Sequence, residues 1–172
     1  MGYEFEVVAP QIEETVRASA DPVEEARRLA AAKADDVAAR LASRREPLVL
    51  IAADTICALG GDIIGKPRDR DHAKELLRRL SGSRHHVITG LCLLDTRSGR
   101  RILDAVSTAV TMKRMTEQEI QDYVASGEAD GKAGAYAIQE TADRYVEKVE
   151  GSLSNVVGLP TERLGEILRL LL

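Results

Sequence analysis

The chain has 172 residues, with 44% apolar and 30% charged side chains and a formal net charge of −4. Those figures suit one globular domain spanning 1–172 and leave no case for disorder or a fibre. The acidic balance argues against a nucleic-acid polymer as partner, since phosphate contacts demand a basic excess, and one Phe, four Tyr and no Trp cannot build a base-stacking platform.

Along the chain, Asp21-Pro22-Val23-Glu24 reads as a helix start, with Asp as N-cap, Pro at the first helical position and Glu placed for a capping box. The helix is expected to run to about Ser43, its apolar line formed by Val23, Ala26, Ala30, Val37 and Leu41. Lys33 falls into that line, where a charge is costly. Leu48 to Cys57 reads as a buried strand carrying Asp54 and Thr55, and Gly60-Gly61-Asp62 as the turn of a hairpin into Ile63-Ile64. Lys66 follows between a glycine and a proline.

Asp69 is placed to cap a helix through about Leu80, closed by Ser81-Gly82. His86–Leu94 and Ile102–Met112 read as an antiparallel strand pair turning over Asp95 to Gly99. Thr116-Glu117-Gln118-Glu119 is a capping box opening a helix that ends near Ser126-Gly127. The small-residue run Gly131 to Gln139 allows close backbone approach, Arg144–Val149 reads as a strand, and Pro160 or Thr161 opens a terminal helix with Leu164, Ile167, Leu168 and Leu171 on one face. Interleaved helices and strands predict an α/β domain, and the short hairpins predict a mixed sheet, elongated and twisted.

Cys57 and Cys92 sit in apolar strand runs as small buried hydrophobes, not as a disulfide framework. No stretch approaches the length of a membrane helix, and Met1-Gly2-Tyr3-Glu4-Phe5-Glu6 has no basic region followed by an apolar one, so a cytoplasmic, membrane-free setting is expected. His85 and His86, adjacent in a strand, face opposite ways and cannot share a metal. Phosphate loops, dinucleotide fingerprints and metalloprotease motifs are absent, so a phosphate site must come from separated segments.

Each candidate also has a plain reading. Lys33 can pass its ammonium to solvent past small alanines, Asp54 can cap the following turn, and Lys66 can be an ordinary turn lysine. Gln139 can be an edge amide, and Glu14, beside Glu13, a solvated acid. Two cations and a carboxylate meeting in one cleft would instead suit a phosphate-bearing substrate with a divalent metal.

Several blocks taken together carry a resemblance. Glu13-Glu14-Thr15, Ala30-Ala31-Ala32-Lys33-Ala34, Ala53-Asp54-Thr55, Ile64-Gly65-Lys66-Pro67, Leu80-Ser81-Gly82, Gly131 to Gln139 and Gly151 to Pro160 stand in the order of the signature blocks of the Maf family of nucleotide pyrophosphatases. The resemblance implies a fold similar to that of Maf and inosine triphosphate pyrophosphatases, with a cleft between two lobes. It implies hydrolysis of a nucleoside triphosphate between its α and β phosphates, with Mg2+ or Mn2+ as cofactor. Asp54 would take the proton of the attacking water, Lys33 and Lys66 would hold phosphate oxygens, and Glu14 would belong to the phosphate and metal neighbourhood, with Asp54 as the other metal-side carboxylate. Thr55 and Gln139 would bear on the choice of base.

The Ala135-Tyr136-Ala137-Ile138-Gln139 block resembles the dTTP/UTP branch, and an amide can both donate to and accept from a pyrimidine edge. Ala53, Ala137 and Glu140 stand where the family often has glycine. The family's first strand, Ser/Arg-bearing loop and helix are expected to precede the segment at which this sequence starts. Were that loop absent from the protein, a non-catalytic regulator or nucleotide sensor would be the alternative function, and a homodimer is compatible with either.

Overall fold

The computed structural model describes residues 3–17, 20–139 and 141–171, without the side chain of Thr141. Five strands form one sheet: β1 (Val49–Leu59), β2 (Asp62–Ile64), β3 (Arg84–Asp95), β4 (Arg101–Met112) and β5 (Val146–Glu150), in the order β2-β1-β3-β4-β5. Among the described residues five α-helices accompany it: α1 (Pro22–Arg40), α2 (Arg70–Leu80), α3 (Glu117–Ala125), α4 (Leu153–Val157) and α5 (Thr161–Leu171).

Every pairing between these strands is antiparallel, which corrects the mixed sheet expected from the sequence. The cause lies in the Gly60-Gly61 turn. Both glycines have positive φ, and the turn reverses the chain into β2 before α2 begins. The passage from β1 through α2 to β3 therefore contains one extra reversal, and β3 returns antiparallel to β1 where a plain strand–helix–strand crossover would return parallel.

Helix boundaries follow local chemistry. The Asp21 carboxylate accepts from the backbone N–H groups of Val23 and Glu24, satisfying two donors that the first turn leaves orphaned. Glu24 does not complete a capping box, because its carboxylate is taken by Arg27 one turn on (2.6 Å). The helix stops at Arg40, three residues before the expected end, and Leu41–Ser43 form a turn. The Thr116 box is complete, with Glu119 reaching back to the Thr116 N–H. The 3-10 turn Thr141–Tyr145 occupies the start of the last expected strand, and α4 was not read from the sequence.

The sheet is covered on both faces. On one, α1 lays Ala26 and Leu29 against Ile56, Ala58 and Ile88, and Ala30 and Ala34 against Cys92. On the other, α2 and α3 pack Leu76, Leu77, Leu80, Ile120 and Tyr123 around Cys57 and Ile64, while α5 sets Leu164, Ile167 and Leu168 on Leu91 and Leu93. Burying each such Leu or Ile is worth roughly 1.5–3 kcal/mol, so the helices are fastened chiefly by these apolar faces. Both cysteines are free and buried, as expected. Burial pushes the Cys57 thiol up to about 12, which leaves it unreactive.

Gly90 sets the distance between α1 and the sheet. A Cβ there would lie 2.2 Å from the Ala26 carbonyl oxygen, so only glycine lets the helix backbone rest on β3. Gly90 is also the direct cross-strand partner of Asp54. The close crossing therefore brings the next turns of α1, and Lys33 with them, over that carboxylate.

Candidate active site

Strand β2 pairs only with Cys57–Leu59, so among the described residues the stretch of β1 from Val49 to Ile56 has a strand on one side only, namely β3. A cleft of about 870 Å3 opens along this edge, of a size that holds a nucleotide-scale ligand. Because it wraps the edge, it takes lining from both faces of the strand, Asp54 from one and Thr55 from the other.

Lys33, Asp54, Glu14, Lys66, Thr55 and Gln139 all line this cleft. Four of them form one chain of ion pairs. The Lys33 ammonium donates to Asp54 Oδ1 (2.6 Å) and lies 2.8 Å from Glu14 Oε1, while the Lys66 ammonium donates to Glu14 Oε2 (2.9 Å). Side-chain exposure rises along the chain, from 7% at Asp54 through 17% at Lys33 and 30% at Glu14 to 56% at Lys66, so it runs from the floor of the cleft to its mouth.

The electrostatics follow that gradient. Burial dominates at Asp54 and holds its carboxyl above the usual range, despite the lowering effect of Lys33. At Lys33 burial alone would depress the ammonium, but the hydrogen bonds to Asp54 and Glu14 outweigh it and the group is held above its usual value. Glu14 is held low by its hydrogen bonds from Lys33 and Lys66. Lys33 is thus charged at neutral pH, and Asp54 is a carboxylate made more basic by its surroundings.

Thr55 has its hydroxyl engaged. It donates to Thr89 Oγ1 (2.8 Å), with the Gly158 carbonyl oxygen 3.4 Å away. Thr89 in turn donates to the Asn155 carbonyl (3.3 Å), and the Asn155 amide donates to Val87 O and Thr108 Oγ1. This network ties the Gly151–Pro160 block to β3 and β4 behind the cleft. Gln139 is exposed at the cleft wall, and Glu140 lies outside the described residues.

Sequence reasoning did not single out Arg68 and Lys132, which line the same cleft. With Lys33 and Lys66 they make four basic side chains there against the two carboxylates of Glu14 and Asp54. Arg68 stands two residues after Lys66, and the Lys132 and Lys66 loops are joined where Gly134 N–H donates to Gly65 O (3.1 Å). The sequence signal was available in both cases, Arg68 just after the Ile64–Pro67 block and Lys132 within the Gly131–Gln139 block. The cleft is cationic although the chain is net acidic, as an anionic ligand requires.

No group of three or more His, Cys, Asp or Glu among the described residues is arranged to hold a metal. Glu14 and Asp54, bridged by Lys33, are the carboxylates that could do so. Carboxylate oxygens are donors of the kind Mg2+ accepts, and here the Lys33 ammonium stands between the two, 2.6 Å from Asp54 Oδ1 and 2.8 Å from Glu14 Oε1. No helix among the described residues is long and apolar enough to cross a membrane.

The family model described as Maf-like protein matches residues 1–171. The chain belongs to the Maf family. Within it, this Maf protein is 44% identical over 164 residues to the dTTP/UTP pyrophosphatase of Alkaliphilus metalliredigens (strain QYMF), covering 95% of this chain and 83% of that one. It is 45% identical over 168 residues to the dTTP/UTP pyrophosphatase of Geotalea uraniireducens (strain Rf4), covering 98% and 84%. Similarity to the enzyme of that name from Acetivibrio thermocellus (strain ATCC 27405) is 41% over 172 residues, covering 98% and 86%.

Proposed function

We propose that this Maf protein is a nucleoside triphosphate pyrophosphatase that cleaves dTTP and UTP between the α and β phosphates, giving a nucleoside monophosphate and pyrophosphate. The observation that carries the reading is the ion-pair chain Asp54–Lys33–Glu14–Lys66, drawn from four separated segments onto one cationic cleft. The names of its relatives support the same substrates.

In this reading Asp54 is the general base. Burial raises its affinity for a proton, so it can take one from the attacking water as the water oxygen bonds to phosphorus and the bridging P–O bond breaks. Lys33 and Lys66 meet the charge that builds on the phosphate oxygens, each as a compact cation with three donors. Lys33 has a second effect: phosphate oxygens that draw its hydrogen bonds leave the burial of Asp54 less opposed, and a carboxylate in that state is a stronger base.

Glu14 keeps Lys33 and Lys66 side by side before substrate enters. A divalent ion, Mg2+ or Mn2+, would be held by Glu14 and Asp54 together with the substrate, and would supply Lewis-acid charge at the phosphates. Gln139 and the segment around it would select the base. The setting is cytoplasmic, where these nucleotides are found, and the molecule acts on monomeric nucleotides instead of a polymer.

The test is pyrophosphate release from dTTP and UTP with magnesium or manganese, comparing wild type with Asp54→Asn. Loss of a positioned general base lowers kcat by about 10²- to 10⁴-fold. Wild type and variant releasing pyrophosphate at equal rates would remove Asp54 from the chemistry. Tight nucleotide binding with no release by either would favour a sensor.

A further inference from the structure

We infer that His85 and Tyr136 are positioning residues for base recognition: the buried imidazole holds the Tyr136 hydroxyl and so fixes the wall that carries Gln139. The inference rests on the pyrophosphatase reading above and adds to it the means by which a uracil-type edge is distinguished from a cytosine edge.

The need for such a device follows from amide chemistry. Gln139 is exposed on the cleft wall, and its amide can present a donor or an acceptor by a half-turn. Uracil offers a ring N–H and a carbonyl where cytosine offers a ring acceptor and an amine, so a loosely held glutamine would satisfy either. Discrimination requires the supporting backbone to be fixed.

The structure fixes it just upstream. Tyr136 lines the cleft, while its hydroxyl meets His85 Nε2 at 2.8 Å. The two rings stand edge to face, with centroids 5.5 Å apart and planes at 85°. His85 is completely buried in β3, and its Nδ1 has no partner, so the Tyr136 contact is its ring's hydrogen bond. Burial and the neighbouring His86 push its pKa down to about 4, which keeps the ring neutral across the physiological range.

Three further ties hold the same wall. Ala137 N–H donates to the hydroxyl of the buried Tyr123 (3.2 Å). Gly134, at φ +74°, lies where a Cβ would press on Cys57 Sγ and Leu80 at 3.1 Å. Ala135 is held at φ 60°, a left-handed conformation that a non-glycine residue adopts only when its surroundings impose it. A buried histidine with one hydrogen bond, aimed at a cleft-lining tyrosine three residues before the base-reading amide, is the part of this clasp that a side-chain change can release.

Tyr136→Phe keeps the ring and removes the hydroxyl. Pyrophosphate release from UTP and CTP is measured for wild type, Tyr136→Phe, His85→Gln and His85→Asn, with equilibrium binding of both nucleotides by calorimetry and a thermal scan of each protein. The wild-type preference for UTP over CTP is expected to fall about 5- to 10-fold in Tyr136→Phe, the worth of one positioning hydrogen bond, through KM for UTP and with kcat nearly unchanged. His85→Gln, whose amide reaches as far as the ring Nε2, should restore most of the preference. His85→Asn, which reaches only as far as Nδ1, should not.

An unchanged preference in Tyr136→Phe overturns the inference, as does equal loss in the Gln and Asn variants in proportion to their melting temperatures. Should Tyr136→Phe not fold, the two His85 variants decide. A wild type that releases no pyrophosphate defeats the catalytic reading alone. The binding ratios then decide the inference, and a wild type that binds UTP and CTP equally would sink it.

Discussion

Replacing Lys33 with methionine tests the heart of the site, because it keeps the length and apolar stem of the side chain and removes only the ammonium. In the wild type that ammonium lies 2.6 Å from a carboxylate that is 7% exposed and 2.8 Å from a second that is 30% exposed. Removing one partner of a buried pair costs about 3–5 kcal/mol, and a hydrogen bond to a charged group is worth about 1.5–3 kcal/mol. Lys33 is itself partly exposed and Asp54 can relieve its own burial by taking a proton, so a loss of about 2–3 kcal/mol at neutral pH is expected. In a domain of this size that lowers Tm by about 5–10 °C.

The pH dependence separates this account from a packing defect. Asp54 has a folded pKa above its unfolded value, so its charge burdens the folded state once the pH exceeds the folded pKa, and more so without Lys33. Glu14, whose folded pKa is depressed, contributes stability above its unfolded value and loses it as pH falls through the folded one, and part of that contribution comes from Lys33. Both effects make the gap between wild type and Lys33→Met wide at neutral pH and narrow it on acidification. Lys33 is held above its usual value, so the gap also closes as alkali deprotonates it. Calorimetric scans across the acid to alkaline range measure the gap. A gap that stays constant, or widens in acid, would refute the ion-pair account.

Lys66→Ala should leave stability within about 0.5 kcal/mol, since its pair with Glu14 is solvent-exposed, yet raise KM for dTTP several-fold in the pyrophosphate assay. Gly90→Ala sets a Cβ 2.2 Å from the Ala26 carbonyl oxygen and must push α1 off the sheet; a loss of about 3 kcal/mol or more is expected by denaturant titration, with activity falling because Lys33 moves with the helix. Asp21→Ala removes the acceptor for the Val23 and Glu24 N–H groups and should cost about 1 kcal/mol by the same titration, with kcat unchanged.

Where local chemistry decides structure, the sequence was legible. Asp21-Pro22, Asp69 and the Thr116–Glu119 box place the starts of α1, α2 and α3 on the residue, because each cap satisfies a backbone donor within its own turn. The Gly60-Gly61 hairpin and the β3–β4 pair were equally local. Strand direction was not, since the short β2 reverses the chain before α2, and this decides whether β3 runs with or against β1. Lys33 was visible as a charge out of place on an apolar line, and Asp54 as a charge at the end of an apolar run. His85 was not, for a buried histidine beside a second histidine carries no mark of the tyrosine it meets fifty-one residues later.

The separated segments meet through small residues. Lys33 reaches Asp54 because α1 turns a face of Ala26, Ala30 and Ala34 to the sheet, and because Asp54 has Gly90 as its cross-strand partner. A larger side chain at any of these positions would lift the helix and leave the carboxylate buried without its cation, a state costing several kcal/mol. The same crossing that stabilises the domain therefore brings the Lys33 ammonium onto the Asp54 carboxylate. Packing and chemistry are coupled here: the buried charge on Asp54 is tolerated only while Lys33 stays in place, and an anionic ligand that competes for Lys33 draws on that same balance.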